Sequence, residues 1–377
     1  MSAPGLVVFG EDWGAHPSST QHLIARLAQR RDVVWINSIG LRRPRLSQHD
    51  LRRLSGKLWD MTRRRSPQAQ DGRIPPRLRL MNPRAVSWPG SKLAAAFNRA
   101  SLGAQVRAQM ASADMTRPIL WTSLPSAVDV ADSIPHRALV YYCGDDFSAL
   151  AGVDHAPVAQ MEKRLAARAD LILAASEDLA ARFPPHKTLL VPHGVDLDLF
   201  CAPAPRAPDL PQDAPVAGFY GALAEWIDME MLTGAARALP DWRFVFIGPR
   251  HTNIDALAAL PNVSLLGPRP HAALPGYAQH WSVSMLPFRD NAQIRACNPL
   301  KLREYLAAGA PIATTRFPAL APYAALAHVA QRPQDFADAL LMAAQDGARA
   351  PERRASVQAQ SWEARAREIE TALASFT

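Results

Sequence analysis

One segment of the chain combines residue types that suit the binding of a nucleoside diphosphate. NPLKLREYLAAGAPIATT, residues 298–315, opens with Asn298-Pro299, and proline is favoured in the first turn of a helix. A helix N-terminus carries positive partial charge and free N–H groups, to which Lys301 adds a full charge. Glu304 follows three residues later and can accept hydrogen bonds from both hydroxyls of a ribose. This spacing predicts a diphosphate at the helix start with a ribose beside it. An ordinary capped surface helix is the alternative.

A second segment carries two carboxylates directly after an apolar run. In VYYCGDDFSAL, residues 140–150, Asp145 and Asp146 follow what reads as a buried strand, which would place them at a sheet edge. When a group is transferred to a hydroxyl, a base must remove the proton of that hydroxyl, and a carboxylate at this edge of the sheet can act as the base. Asp145 is the stronger candidate for the base. Asp146 serves equally well as the cap of the next turn.

The loop after the first apolar run is a third candidate region. GEDWGAHPSST, residues 10–20, contains Asp12 and His16, which could face an acceptor, and Gly14, which permits a tight backbone. A lone histidine is more often structural than functional, so His16 is the weakest member of this set.

We expect no metal ion and no cofactor. No Asp-x-Asp motif follows a predicted strand, and the three cysteines share no short spacing. In their place, Lys301 and the helix dipole would stabilise a departing diphosphate.

These residues must be positioned by alternating strands and helices. Apolar runs bounded by polar turns predict buried parallel strands, here GLVVF, DVVWIN, PILWTS, ALVYYC, LILAAS, TLLVPHG, VAGFYG, RFVFIG, VSLLG, VSMLPF and PIATT. Helical patterns separate many of them, and such alternation predicts two doubly wound α/β units.

Domain boundaries follow from composition. The proline-rich segment CAPAPRAPDLPQDAP, residues 201–215, cannot continue a helix or a central strand and predicts a linker. We therefore expect an N-terminal Rossmann-like acceptor domain at 1–200 and a nucleotide-sugar-binding domain at 216–350. Residues 351–377 would form a C-terminal helix that can pack back on the first domain.

The 377-residue chain carries a formal net charge of +8, concentrated in its first third. Within the interruption at residues 42–84, Leu51–Arg65 has apolar residues at helical spacing among many arginines. This pattern fits either a helix at a membrane interface or a helix packed on its own domain. No signal peptide or membrane span is predicted. We therefore expect a cytoplasmic protein, with a peripheral position on the inner face of the membrane left open.

At this point the sequence resembles a known family. The segment 298–315 is similar to the donor-binding helix of GT-B glycosyltransferases, in particular the group-4-like bacterial enzymes of capsule and exopolysaccharide synthesis. Four further segments resemble the same family in the same order, namely VPHGVD, FYGALAEWIDMEML, FVFIGP and NVSLLGPRPHAALPGY. The resemblance implies two Rossmann-like domains that face each other across a cleft.

The resemblance also assigns residues to the donor. Lys301 would hold the phosphates and Glu304 the ribose, within a helix start that includes Asn298, Pro299 and Leu302. The Gly221-Ala222 turn would let the backbone approach the diphosphate. Arg269 would lie beside the base, and Arg250 would add charge near the diphosphate or remain a solvated surface residue.

One departure from the family leaves the stereochemistry open. Many group-4 enzymes carry a further glutamate eight positions before the one that matches Glu304, and this chain has Ala296 there. The segment around Asp145 is similar to one in the xanthan-pathway glucuronosyltransferase, where an aspartate is the proposed base. An aspartate base suggests inversion, whereas the general likeness suggests retention.

The expected function is transfer of a sugar from a UDP- or GDP-sugar to a polysaccharide or lipid-linked acceptor. A nucleotide-sugar epimerase of the same fold is the alternative, since fold alone does not determine function. Nucleic-acid binding is disfavoured, because the basic region contains no recognition module.

Overall fold

The computed structural model describes residues 3–14, 18–39, 74–150 and 153–376. The chain forms two compact units. The first comprises Met1–Val191 together with Ala366–Thr377, and the second comprises Pro192–Arg365.

Within the described residues, the first unit is built on a seven-stranded parallel sheet with the order β3-β2-β1-β4-β5-β6-β7. Its strands are β1 (Leu6–Phe9), β2 (Val33–Ile36), β3 (Leu78–Met81), β4 (Ile119–Thr122), β5 (Ala138–Cys143), β6 (Leu171–Ala174) and β7 (Thr188–Leu190). Its helices are α1 (Ser19–Leu27), α2 (Lys92–Ser112), α3 (Val128–Ala131), α4 (His155–Arg168) and α5 (Glu177–Ala180).

The central strands of this sheet are apolar on both faces because helices cover both sides. Every residue of β1, β2, β4 and β5 is buried. At the carboxyl edge, the Trp35 indole packs against Gly10, where an added Cβ atom would lie 2.4 Å from the ring. The missing side chain at Gly10 therefore lets β2 bring a large aromatic ring under the loop that follows β1.

The second unit has a six-stranded parallel sheet with the order β10-β9-β8-β11-β12-β13. Its strands are β8 (Val216–Tyr220), β9 (Arg243–Ile247), β10 (Val263–Leu265), β11 (Val283–Leu286), β12 (Ile312–Thr314) and β13 (His328–Val329). Its helices are α6 (Leu197–Cys201), α7 (Met229–Ala238), α8 (Asp255–Ala258), α9 (Pro275–Ala278), α10 (Ala292–Ala296), α11 (Leu300–Ala308), α12 (Phe336–Ala344) and α13 (Ala350–Ala355). A last helix, α14 (Trp362–Leu373), begins in this unit and ends among the residues assigned to the first.

The segment predicted as a linker lies inside the second unit. The Ala207 N–H donates to the Gly276 carbonyl at 2.9 Å, and the side chain of Leu210 is buried. The Gln279 side chain donates to the Ala202 carbonyl at 2.8 Å and accepts from the Ala204 N–H at 2.9 Å, so it satisfies two backbone groups of this segment. Prolines exclude a helix or central strand, but they do not prevent an extended segment from packing on its own unit.

The C-terminal residues also divide differently from the predicted 351–377 segment. α13 lies in the second unit, where Arg354 donates to the Ala308 carbonyl at 3.1 Å. The residues from Ala366 onward belong to the first unit, in which the Arg31 Nε donates to Glu370 at 2.8 Å.

Several elements differ from the sequence-based expectation. β3 and α2 were not predicted, because β3 (LRLM) has an arginine within its apolar run and α2 has apolar residues on two faces. Residues 271–278 form a 3-10 turn, His271–Ala273, followed by α9, because Pro275 cannot donate the hydrogen bond of a continuous helix. Leu51–Arg65, the predicted basic helix, lies outside the described residues.

Among the described residues, no helix is both long enough and apolar enough to cross a lipid bilayer.

Candidate active site

Three glycine turns interlock at the carboxyl edge of the second sheet. Gly221, Gly248 and Gly267 follow β8, β9 and β10, with φ values of 127°, 142° and 70°. The Gly248 N–H donates to the Gly267 carbonyl at 3.0 Å, and the Gly221 N–H donates to the Ile247 carbonyl at 2.7 Å. A Cβ atom at Gly248 would lie 2.2 Å from the Gly221 carbonyl oxygen. Glycine is therefore required here for both conformation and space.

Lys301 lies directly against the first of these turns. A Cβ atom placed on Gly221 would come within 2.1 Å of Lys301 Cε and 2.7 Å of its Nζ. The ammonium group stands 5.7 Å from the centroid of the Phe219 ring, and the side chain is partly buried. Burial lowers the pKa of Lys301, while the charge of Glu304 acts in the opposite direction. The lysine is thus held over the strand–helix turn at which a diphosphate was predicted to bind.

The start of α11 has open backbone donors. Pro299 occupies the N-cap position, and among the described residues no side chain caps this end. Asn298 does not cap the helix, since its Oδ1 accepts from the buried Arg303 guanidinium. Leu302 is fully buried in the core of the unit, which makes it a packing residue. The helix ends at Gly309 with φ 77°.

Arg303 ties the start of α11 to a distant segment. Besides bonding Asn298, it donates from Nε to Gln360 at 3.0 Å, and its guanidinium lies 5.9 Å from the Tyr323 ring centroid. The Tyr323 hydroxyl donates to the same Gln360 oxygen at 2.7 Å. This buried network holds the Asn298–Pro299 corner in place.

Glu304 faces a partner that the sequence did not identify. His271 Nε2 lies 2.8 Å from Glu304 Oε1, and both side chains are largely buried. Burial alone would raise the pKa of Glu304, but the His271 hydrogen bond, the neighbouring Tyr220 hydroxyl and the Lys301 charge together lower it. Glu304 is therefore an oriented carboxylate. The signal for His271 was its position in the loop after β10, within a segment already seen to resemble the family.

The two predicted arginines of this unit have different surroundings. Arg269 donates to the Leu266 carbonyl at 2.6 Å, to the Tyr277 hydroxyl at 3.2 Å and to Asp209 at 2.8 Å. It fixes the proline-rich segment and has little freedom to reach a base. Arg250 is exposed, close in sequence to the Gly248 turn, and Ala222 in the adjoining turn is partly buried.

In the first unit, the paired aspartates have separate environments. Asp146 is buried and forms an ion pair with Arg182 at 2.8 Å, and it accepts from the Ser148 N–H at 2.9 Å and from the Ser148 hydroxyl at 2.6 Å. Although burial acts to raise it, the pKa of Asp146 is lowered by these partners. Asp146 therefore fits the turn-capping role that the sequence left open, and its ion pair makes it a poor base.

Asp145 is the free carboxylate of the pair. Its pKa is raised by removal from bulk water and by the negative charges of Glu11 and Asp146. The side chain still reaches solvent, so its desolvation is incomplete and the neighbouring carboxylates are the more specific cause. Glu11 follows β1 and accepts a hydrogen bond from Gln21 Nε2 at 3.1 Å. A carboxylate with a raised pKa and solvent access can act as a general base.

The loop after β1 is described up to Gly14. Asp12 is exposed, and its Oδ1 accepts from the Ser38 N–H at 3.1 Å. Gly14 has φ 79° and donates to Gln21 Oε1 at 3.0 Å. His16 lies outside the described residues.

Within the parts of the chain that the structure describes, no three histidine, cysteine, aspartate or glutamate residues are grouped to hold a metal ion.

Comparison with known proteins gives a family match within the second unit. Residues 214–346 match the family of glycosyl transferases group 1. The chain is also 30% identical over 230 residues to TuaH of Bacillus subtilis (strain 168), which is named as a candidate teichuronic acid biosynthesis glycosyltransferase. That alignment covers 55% of this chain and 58% of the relative, so the chain spans a little over half of the relative's length.

Solved structures share the fold over nearly the whole chain. Sucrose-phosphate synthase from Thermosynechococcus elongatus superposes with a TM-score of 0.73 at 17% identity, covering 99% of this chain and 98% of that one. HepE of Anabaena, solved with UDP and glucose, gives a TM-score of 0.68 at 15% identity and covers 99% and 100%. At these identities the likeness shows the fold.

The predicted GT-B fold and the resemblance to GT-B glycosyltransferases are confirmed by these matches. The finer resemblance to the xanthan-pathway enzyme stays a prediction. The glycine turns, Lys301 and Glu304 all lie within the residues of the second unit that match the group 1 glycosyl transferase family.

Proposed function

We propose, from the group 1 glycosyltransferase domain at residues 214–346, that this protein transfers a sugar from a nucleoside diphosphate sugar to a saccharide acceptor. One observation carries the proposal. Lys301 lies against the Gly221 turn, where a single methyl group would displace it, and the open start of α11 is one residue away. A full positive charge and free N–H groups at one strand end suit a diphosphate.

The donor half of the reaction follows from these contacts. The diphosphate would lie over Gly221 and Gly248, whose missing side chains let its oxygens approach the backbone. Lys301 would stabilise the negative charge that develops as the sugar–phosphate bond breaks. Glu304, oriented by His271, would accept hydrogen bonds from the ribose hydroxyls. The proposal assigns charge stabilisation to these groups without a metal ion, and activity should therefore persist in EDTA.

The acceptor half is assigned to the first unit. Asp145 would remove the proton of the acceptor hydroxyl as it attacks the anomeric carbon, and its raised pKa suits a base. Asp12 and Gly14, in the loop after β1, are the acceptor-side candidates. Asp146 is assigned to the structure of the turn because Arg182 and Ser148 already engage it.

Two comparisons support a choice of donor and of acceptor class. HepE, which has the same fold, is solved with UDP-glucose, and TuaH is named as a candidate teichuronic acid biosynthesis glycosyltransferase. We therefore favour a UDP-sugar over a GDP-sugar, and a polysaccharide or lipid-linked saccharide as acceptor. Such synthesis would place the protein in the cytoplasm at the inner face of the membrane, with Leu51–Arg65 as a first candidate for contact.

Donor binding can be tested by thermal unfolding with UDP-glucose, GDP-mannose and ADP-glucose. A ligand present at about a hundred times its dissociation constant adds about 2.7 kcal/mol to stability. K301M should lose this gain, because the phosphates lose their cation. K163M, at an exposed lysine on α4, is the matched control and should keep it. Stabilisation of K301M equal to that of the wild type would contradict the proposal.

Turnover can be tested by release of free nucleotide on addition of a saccharide acceptor. D145N should keep the thermal stabilisation by donor and lose acceptor-dependent release. Unchanged release in D145N would remove Asp145 from the mechanism. A nucleotide-sugar epimerase would instead interconvert sugars with no acceptor and would not release nucleotide.

A further inference from the structure

Helix α2 presents a second apolar face to solvent. Its inner face is buried through Leu102, Val106 and Met110. On the other side, Leu93 is 85% exposed and Phe97 is 53% exposed, and their four-residue spacing puts them on one face. Exposed alanines continue this face along the helix at positions 96, 100 and 104. An exposed leucine and phenylalanine side by side are unusual on a water-facing helix.

Two further apolar side chains are held beside the first turns of this helix. Val86 is 42% exposed and Trp88 is 52% exposed. Asn98 fixes their segment, since its Oδ1 accepts from the Val86 N–H at 2.8 Å and its Nδ2 donates to the Val86 carbonyl at 2.9 Å. We call Val86, Trp88, Leu93 and Phe97 the α2 patch.

The chain segment that carries the α2 patch has charges of one sign. Residues 74–113 contain six arginines and lysines and no aspartate or glutamate. Arg84 and Lys92 alternate with the apolar residues of the patch and are exposed. Among the described residues, the structure gives neither of them a carboxylate partner.

This combination favours an anionic lipid surface over other partners. Tryptophan and flanking cations are the side chains that settle at a membrane interface, with the ring among the headgroups and the charge on the phosphates. A second copy of the chain is disfavoured, because a two-fold interface through this patch would bring the cations of one copy close to the cations of the other.

We propose that the α2 patch is a membrane-contact surface, on which Trp88, Leu93 and Phe97 enter the headgroup region of an anionic leaflet while Arg84 and Lys92 bind its phosphates. This inference does not depend on the transferase proposal. It also differs from the membrane contact proposed for Leu51–Arg65, because the structure describes every residue of the α2 patch.

The test is sedimentation of the full chain with phosphatidylcholine vesicles, with or without phosphatidylglycerol. The wild type should bind the phosphatidylglycerol vesicles and lose binding at high salt. L93Q/F97Q should bind about a hundredfold more weakly, at about tenfold for each apolar side chain. R84Q/K92Q should bind about twenty-five-fold more weakly, at about fivefold for each charge.

The control variant is L341Q/M342Q. These residues are the exposed apolar pair on α12 of the second unit, at 41% and 57% exposure, and their replacement should leave vesicle binding unchanged. This control separates the α2 patch from general loss of surface hydrophobicity.

Insertion has its own readout in the fluorescence of the wild type and W88F with brominated phosphatidylglycerol vesicles. Bromine on the acyl chains should quench the wild type, and W88F should lose most of that quenching while remaining folded. Failure of the wild type to bind anionic vesicles would overturn the inference. So would binding by L93Q/F97Q at the wild-type level, which would transfer the contact to Leu51–Arg65, or equal quenching in W88F.

Discussion

Replacing Gly221 by alanine separates the cost of backbone strain from the loss of donor binding. Gly221 has φ 127°, and its added Cβ would lie 2.1 Å from Lys301 Cε and 2.7 Å from Nζ. The obstructing atoms are the far end of a flexible side chain. We therefore expect Lys301 to swing away and the fold to survive.

The two costs can be estimated separately. Alanine at this positive φ, beyond the left-handed helical region, costs about 1–3 kcal/mol of folding free energy. A displaced Lys301 would forfeit one hydrogen bond between charged groups, worth about 1.5–3 kcal/mol. That loss corresponds to a Kd for the donor that is about 10- to 150-fold higher.

A matched control lies at the other end of α11. Gly309 also has a positive φ, 77°, and its added Cβ would lie 3.0 Å from Ala350 Cβ, far from Lys301 along the helix. G309A should lower the free energy of unfolding by a similar amount and leave the Kd for UDP-glucose unchanged. Thermal unfolding and titration calorimetry give the two quantities.

A double-mutant cycle makes the reasoning refutable. If Gly221 acts on binding through Lys301, G221A should weaken donor binding in the wild-type background and add almost nothing in K301M. Equal effects of G221A in both backgrounds, or a loss of affinity in G309A as large as that in G221A, would show that the contact between Lys301 and the Gly221 turn is irrelevant to binding.

Four further sets of variants test the geometry. The pKa of Asp145 is raised by desolvation and by the negative charges of Glu11 and Asp146, so E11Q should move the acidic limb of the pH profile of kcat/KM to lower pH. Because the pKa of Glu304 is lower in the folded than in the unfolded state, the ionised carboxylate stabilises the fold at pH values above its unfolded-state pKa of about 4.5. This stabilisation is lost as the pH falls through the folded-state pKa, and E304Q should therefore flatten that part of the plot of unfolding free energy against pH. H271A should raise the Kd for UDP about tenfold or more. It should also reduce the preference of the protein for UDP over 2′-deoxy-UDP. R303M should lower the free energy of unfolding by about 3 kcal/mol in urea titrations, since it leaves buried acceptors unsatisfied.

The parallel sheets could be predicted because a strand covered on both faces is a continuous apolar run. ALVYYC matches β5 residue for residue, and RFVFI is β9. β3 escaped prediction because its sequence, LRLM, includes Arg79, which is exposed in the strand. α2 escaped because it has apolar residues on two faces, which removes the periodicity of a surface helix.

The donor-site residues Lys301, Glu304 and Gly221 could be named from local sequence, since a helix start and a glycine turn depend on neighbouring residues. The partners of these residues could not be named from local sequence. His271 on Glu304, Arg303 on Asn298 and Asp209 on Arg269 are pairings between or within elements that only packing brings together.

The amino-acid sequence by itself determined the alternation of strands and helices, the basic character of the first third of the chain and the location of the cationic helix start. Those properties depend on side-chain type and on spacing along one element. Tertiary structure alone decided that Asp146 is bound by Arg182 while Asp145 stays open, that the proline-rich segment packs within the second unit, and that α2 has an exposed apolar face. Each of these features depends on which residues lie next to each other in space and which remain exposed to water. The spacing of residues along the chain specifies neither.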